Sequence, residues 1–383
     1  MKSFSKSGPI SAPFAVEGRT GLQALGNARW SLLLQALALA VVGLVTIHSA
    51  SAELSVDYLP RQALWVVLGL GIFLAAFLVD YRRLGTHALA IYGLGVVLLL
   101  LTLVAGELRG GARSWLAIGG FGVQPAELAK LTTAVLLAQY LSGIPRSRLR
   151  LREVSVAGSI VVLPVTLVAL QPDYGSAAMF VPMLLGALLV AGVRWRVLLA
   201  VGVLALILGG AAWNTDIGLR GYQKDRILTF LQPERDPLGA GYQVRQSKIA
   251  VGSGGLLGQG YMQGTQSQLR FLPARHTDFV FAVLAEEWGF AGVALVLTLF
   301  GLFLWGLAEV AGRARDRLGI LLIVSLGSIL AFHILYNTAM VVGLVPITGI
   351  PLPFLSYGGS FTFFCFAATG LALNVDARRY VNR

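Results

Sequence analysis

The chain has 383 residues, 56% of them hydrophobic and 13% charged, with a mean hydropathy of +0.75. Soluble domains carry about 25% charged residues, and 30 basic with 18 acidic side chains cannot cover a folded chain of this length, so a soluble globule and a disordered chain are both excluded. A single cysteine, Cys365, leaves no internal disulfide and no multi-cysteine metal site, and four scattered histidines leave little for a His-built one. The net charge of +12 would suit nucleic acid only if the basic residues shared one soluble face.

About twenty apolar residues cross a bilayer core as a helix. Ten such spans are expected, at 30–49, 62–79, 86–105, 124–142, 155–170, 174–192, 195–213, 279–307, 317–343 and 356–374. Pro164 predicts a kink in the fifth. Residues 1–29 read as a cytoplasmic tail, because no apolar core precedes a cleavage site there. Residues 30–376 form the membrane domain, and 377–383 a short C-terminal tail. The expected fold class is an all-α polytopic membrane protein.

With ten spans, both termini and the even-numbered loops share one side. That side holds 18 of the 30 basic residues, and the opposite side holds 11, of which 8 lie in one long loop that the positive-inside rule does not govern. Both termini are therefore expected in the cytoplasm. Topology accounts for the charge, and no nucleic-acid partner is expected. The arginines of 146–152 fit an anchor on anionic headgroups.

The long loop, residues 214–277, joins spans seven and eight on the extracytoplasmic side. Loops of this length are functional or disordered, and this one carries apolar stretches such as 227–231 beside a basic excess that includes Arg226 and Lys248. A net-basic, partly apolar flap suits a lipid phosphate. A structured cap over helix ends fits equally well. The glycines at 252, 254, 255, 258, 260 and 264 match no nucleotide motif. They predict tight turns and close backbone approach to a ligand.

Ionisable residues inside spans are functional candidates. Glu127 and Lys130 lie one turn apart at the start of the fourth span, after Gln124-Pro125, and form either an internal ion pair or part of a site. Arg113-Ser114-Trp115 precedes them, with Trp115 as an interfacial anchor. Asp173, in Gln171-Pro172-Asp173, reads as a helix cap. Where the loop enters span eight, Thr277 is a candidate cap, and Asp278, Ala282, Ala285, Glu286 and Gly289 share one small-or-acidic face. Asp278 is either a stabilising carboxylate at a helix start or a reacting group at the rim. His333, Tyr336 and Asn337 read as interhelical hydrogen bonding, and Cys365 as packing.

The strings 241–243, 246–255, 264–268, Leu272-Pro273, His276-Thr277-Asp278-Phe279 and Glu286-Glu287 together resemble the SEDS family (shape, elongation, division, sporulation). So do Ala112-Arg113-Ser114-Trp115, Gln124-Pro125-Ala126-Glu127, Gln171-Pro172-Asp173 and 349–360. The resemblance spans residues 30–376. Residues 264–268 and 273–276, with the short C-terminal tail, look like the RodA branch. Ser114 stands where a second arginine is frequent, and Ala126 where serine is frequent.

The resemblance implies a peptidoglycan glycosyltransferase of the bacterial inner membrane. It would polymerise lipid II at the outer face during elongation, beside a class B penicillin-binding protein and the elongation machinery. The family's essential acid maps onto Asp278, the candidate general base. A helix start would lower the acid's pKa, so partial burial must offset that. Arg113, Lys130, Lys248 and Arg226 are candidate diphosphate ligands, Glu127 a positioning residue, and His276 and Glu286 further substrate contacts. The family implies a divalent cation (Mg or Mn), for which no ligand set is readable. The rival readings are a lipid II flippase or other transporter, and a non-catalytic scaffold for the penicillin-binding protein.

Overall fold

The computed structural model of the chain describes residues 28–52, 57–109, 112–118, 121–145, 149–197, 199, 202–203, 226, 228–237 and 239–379. Most of the expected seventh span, the first part of the long loop (including Arg220 and Lys224) and the outer parts of both tails lie outside the described residues.

In chain order the elements are α1 (Ser31–Ser51), α2 (Leu59–Leu78), α3 (Tyr81–Thr86) and α4 (Ala88–Ala105). Strands β1 (Glu107–Arg109), β2 (Ala112–Ile118) and β3 (Phe121–Val123) follow. Then come α5 (Pro125–Ser142), α6 (Leu151–Leu170), α7 (Tyr174–Ala178), α8 (Phe180–Ala191), α9 (Ala240–Ser253) and α10 (Thr265–Gln268). The chain closes with α11 (Val280–Arg313), α12 (Arg317–Val341) and α13 (Gly359–Arg378). Eight stretches among the described residues are long and apolar enough to cross a membrane: α1, α2, α4, α6, α7–α8 taken together, α11, α12 and α13. The more polar α5 occupies the expected fourth span, packed among α4, α6 and α12.

The centre of the bundle is α13, buried almost throughout and packed along α2. Small residues let the two backbones approach: a Cβ at Gly370 would fall 2.9 Å from the Ala76 Cβ. In lipid, the last carbonyls of a helix need donors. The buried Asn374 of α13 supplies them to α2, donating to the Phe77 oxygen at 2.5 Å and the Val79 oxygen at 2.7 Å.

The all-α expectation misses one small element. β1, β2 and β3 form an antiparallel sheet in which Glu107 faces Trp115 and Leu116 faces Val123. In sequence the strands are separated by Gly110-Gly111 and Gly119-Gly120, a hairpin signal that the hydropathy profile hides.

The loop glycines are corrected more substantially. Their close backbone approach is to α11. That helix is interrupted at Gly289, whose φ is +62°, and the interruption frees backbone groups. The glycine-rich loop satisfies them. Gln259 and Gly260 N–H donate to the Glu286 and Glu287 carbonyls at 3.0 and 3.1 Å, while Phe290 and Ala291 N–H donate to the Gly255 and Leu256 carbonyls at 2.9 and 3.0 Å. A Cβ at Gly254 would run into the Ala285 carbonyl, and one at Gly258 into that of Glu287.

Gly258 combines that clash with a φ of +86°, whereas Gly252 lies in α9 with open space around it. Gly258→Ala should therefore cost about 2–3 kcal/mol, and Gly252→Ala should be neutral or stabilising by up to about 1 kcal/mol. Thermal melts of the purified variants in detergent check the contrast.

Candidate active site

A cavity of about 420 Å³ is lined by Ser114, Trp115, Glu127, Asp173, Asp278 and His333, with residues 349–351 and 357–358 among those completing its wall. Each side chain arrives from a different part of the fold. Ser114 and Trp115 stand on β2 and Glu127 at the start of α5; Asp173 precedes α7, Asp278 precedes α11, and His333 lies in α12.

The turn that carries Asp278 is tied down by its backbone. Tyr357 N–H donates to the His276 carbonyl at 2.9 Å, Ser356 Oγ to that of Thr277 at 2.7 Å, and Asn337 Nδ2 to that of Asp278 at 2.9 Å. Asn337 also donates to the Ile350 carbonyl at 2.7 Å, joining this turn to the irregular 343–358 segment. Beyond one turn, in which Leu355 and Ser356 N–H donate to the Leu352 carbonyl at 3.3 and 3.0 Å, that segment forms no helix or strand. It is tolerated at this depth because protein covers it and it lines a cavity: Ile350, Leu352 and Leu355 are all buried.

The helix cap expected of Thr277 is absent. Its hydroxyl donates back to the Ala274 carbonyl at 3.2 Å, and α11 starts after Phe279 without a side-chain cap. The Asp278 carboxylate does not cap either, and it accepts no hydrogen bond from any described residue. Gly349 lies beside it, with room for a Cβ only at 3.7 Å from Oδ2. Half-buried, the carboxyl is pushed up to about 6 by burial, with the Arg226 charge pulling the other way. Asp173, by contrast, does cap: it accepts from Ser176 N–H at 3.1 Å and from Gln124 Nε2 at 2.7 Å.

Behind Glu127 the Lys130 ammonium has no solvent access. It donates to Glu127 Oε1 at 2.8 Å, approaches His333 Nε2 at 3.4 Å, and lies 4.9 and 5.5 Å from the ring centroids of Phe364 and Phe361. His333 Nδ1 is 3.0 Å from the Pro351 carbonyl, which assigns the proton to Nδ1 and leaves Nε2 as acceptor. The second Glu127 oxygen is buried with no protein hydrogen bond among the described residues.

The remaining predicted site residues are dispersed. Arg226 donates to the Ile347 carbonyl at 3.0 Å and is the cation that acts on Asp278. Arg113 is exposed on β2, and its neighbours Ala112 and Ser114 line the cavity. His276 lines a second, adjoining cavity. Lys248 is exposed on α9, packed against Gly343, and is not among the cavity's lining residues. Glu286 belongs to the fold and not to the cavity: its carboxylate is fully buried and accepts from Gln266 N–H at 2.7 Å, Ser267 N–H at 3.1 Å and the Thr265 hydroxyl at 3.3 Å. It thus supplies the start of α10 with acceptors. Glu287 accepts from the Ser49 hydroxyl of α1. The sequence reading assigned His333 to interhelical hydrogen bonding alone. Its place in the cavity wall follows from the fold, and a single histidine in an apolar span carries no signal for it.

Among the described residues, no group of three His, Cys, Asp or Glu side chains could hold a metal ion. Asp173 is engaged in capping and Glu127 with Lys130, so the side chains present do not by themselves build the divalent-cation site that the resemblance implies.

Residues 29–381 match the FtsW/RodA/SpoVE family, described as "Cell cycle protein". The chain belongs to this family. Two relatives are named peptidoglycan glycosyltransferases. RodA of Treponema pallidum is 32% identical, covering 91% of this chain and 97% of its own length. MrdB of Escherichia coli K12 is 36% identical, covering 91% and 93%. Among solved structures, RodA of Thermus thermophilus superposes with a TM-score of 0.70 at 32% identity, over 92% of this chain and 98% of that one. A chain of a peptidoglycan synthase complex, reported for its structural coordination of polymerization and crosslinking, does so with 0.79 at 34%, over 92% and 98%.

Removing one partner of a buried ion pair strands the other charge, at about 3–5 kcal/mol. Lys130→Met should destabilise the protein on that scale, and Lys130→Met with Glu127→Gln should recover part of the loss. A double-mutant cycle read by thermal melting checks this.

Proposed function

We propose that the protein is a peptidoglycan glycosyltransferase, polymerising lipid II at the outer face of the bacterial inner membrane during elongation, in company with a class B penicillin-binding protein. The chain is a multi-span membrane protein of that family. The excess of basic residues on one side of the expected topology supports cytoplasmic termini. The long loop and Asp278 then lie on the outer side, where a lipid-linked sugar meets the membrane surface. The membrane domain spans 30–376, with cytoplasmic tails at 1–29 and 377–383.

The observation that carries the mechanism is the half-buried Asp278 carboxylate in the wall of the cavity, which accepts no hydrogen bond from the described residues. A general base works best with a pKa just below the working pH and with a free lone pair. Asp278 has both. In the reaction, the acceptor sugar's C4 oxygen attacks the anomeric carbon of the donor from the face opposite the diphosphate. The C4 oxygen's proton passes to Asp278 as the new glycosidic bond forms. The anomeric carbon–oxygen bond to the diphosphate breaks, its electron pair leaves with polyprenyl diphosphate, and the anomeric configuration inverts. Arg226 keeps Asp278 from being pushed still higher and places positive charge near the leaving group. Arg113, exposed beside the cavity-lining Ser114, is a second cation for that diphosphate. The Glu127–Lys130–His333 group is a positioning cluster that fixes α5 against α12 beneath the cavity.

A flippase would move lipid II without making polymer, and a scaffold would need another polymerase present. Purified chain given lipid II, alone and with the partner, should make glycan polymer. Asp278→Asn should lower the rate by at least about 10²-fold with unchanged size-exclusion elution. Near-normal polymer from that variant removes Asp278 from the role, and a wild-type protein that moves lipid II without polymer favours the transporter.

The pH profile follows from the same carboxyl. The reactive form is the anion, so the rate should rise with pH through about 6 and level off near 7. Arg226 lowers that pKa, so Arg226→Gln should move the acid limb to higher pH. A limb that stays put in Arg226→Gln contradicts the assignment.

A further inference from the structure

Two polar ties between α1 and α11 bracket the bilayer on this structure. At one end the Arg29 guanidinium pairs with Glu309, and at the other the Ser49 hydroxyl donates to Glu287. Ser49 follows Arg29 by 20 residues, and Glu287 precedes Glu309 by 22. At about 1.5 Å per residue the ties stand about 30 Å apart, which is the thickness of a hydrocarbon core. Between them neither helix carries an ionisable side chain except His48, next to Ser49. The Ser49–Glu287 tie therefore marks one edge of the hydrocarbon, the outer edge on the topology proposed above.

The interruption of α11 at Gly289 lies at this edge, and the glycine-rich loop is bonded to it. Irregular backbone enters hydrocarbon only where its polar groups are satisfied. Here helix and loop satisfy each other, through the amides of Gln259, Gly260, Phe290 and Ala291. The loop's two consecutive leucines are left uncovered by protein at that depth: Leu256 is 75% exposed and Leu257 83%. Trp288 and Phe290, on either side of the break, are exposed as well. The Tyr261 hydroxyl is 2.7 Å from His48 Nδ1 at the end of α1, with the rest of its ring partly exposed. Tyr and Trp at such a level are the aromatic belt of a membrane interface.

The sequence changes character over the same stretch. Arg245 and Lys248 stand on α9, and charge resumes at Arg270, yet the 21 residues 249–269 hold no Asp, Glu, Lys, Arg or His. A surface facing water gains nothing by excluding charge over that length. One facing acyl chains does, because an ionised group there is costly.

We infer that residues 254–262 form a membrane wedge: Leu256 and Leu257 insert among the acyl chains of the leaflet, Tyr261 and Trp288 lie at its headgroup boundary, and the partner of this surface is the bilayer itself. The wedge needs only the span assignment and is independent of the reaction proposed above. For this part of the long loop it replaces both readings of the sequence, a flap over a lipid phosphate and a cap over helix ends. It also couples the loop to the leaflet, since lifting 254–260 from α11 withdraws two leucines from hydrocarbon.

Site-directed spin labelling tests this. The single native cysteine, Cys365, is fully buried, so an added cysteine is the labelling site, and the parent protein serves as the unlabelled control. The full-length protein in phosphatidylethanolamine–phosphatidylglycerol vesicles is labelled separately at Leu256→Cys and Leu257→Cys. Leu302→Cys, on an exposed face of α11, is the lipid reference, and Arg245→Cys, exposed on α9, is the water reference. Collision rates are read against oxygen, which concentrates in hydrocarbon, and against a nickel chelate confined to water. The logarithm of the oxygen-to-nickel ratio should be positive at 256, 257 and 302 and negative at 245. A negative value at 256 and 257 puts the loop in water. Low collision with both reagents there means that protein covers it, as a docking face would be covered. Either result overturns the wedge. Both leucines are so exposed that their substitution leaves the packing intact, and two separate labels guard against a local distortion at either one.

Discussion

The arrangement around the cavity depends on one ammonium group that water cannot reach. Lys130 is fully buried in a helix bundle, and a lone charge there would cost several kcal/mol. The bundle answers with a carboxylate from its own helix, an imidazole nitrogen from α12 and the faces of two phenyl rings from α13. Three helices are thereby held to a common point directly beneath the cavity. The arrangement fixes His333 in one tautomer, and His333 in turn holds the Pro351 carbonyl of the irregular segment that walls the site.

Asp278 is set up by the opposite means. Its backbone is restrained by Asn337, while its carboxylate is left without a partner among the described residues. Had α11 begun one turn earlier, the carboxylate would have faced free N–H groups, which lower a carboxyl's pKa. Because the chain turns through 274–279 before the helix starts, the acid lies beside the helix start without serving as its cap. Glu286, eight residues on, shows the contrast: two backbone N–H groups and a hydroxyl saturate it, and it is committed to holding α10.

Much of this was legible beforehand, for physical reasons. A bilayer demands long apolar helices, so the hydropathy pattern marked the spans to within a few residues, as with 30–49 against Ser31–Ser51 and 317–343 against Arg317–Val341. Ion pairs inside apolar spans are rare, so Glu127 and Lys130 stood out. The 107–123 sheet was not legible from hydropathy, because short strands leave no twenty-residue signature. The stripe argument grouped Asp278 with Glu286 by assuming an unbroken helix through both. The helix begins after Phe279, and spacing cannot reveal which neighbours a carboxylate will find. The glycines of 252–260 were recognised as close-approach residues, but their partner was a helix distant in sequence.

That partner has a practical consequence. The amides of Phe290 and Ala291 lie within an apolar stretch, yet they are protected by loop carbonyls and not by the preceding turn of their own helix. Their exchange with deuterium is therefore governed by the lifting of the 254–260 segment, while the amides further along α11 report on the helix itself. Two native positions thus serve as a gauge of how often the loop layer parts from the bundle, without any label being introduced.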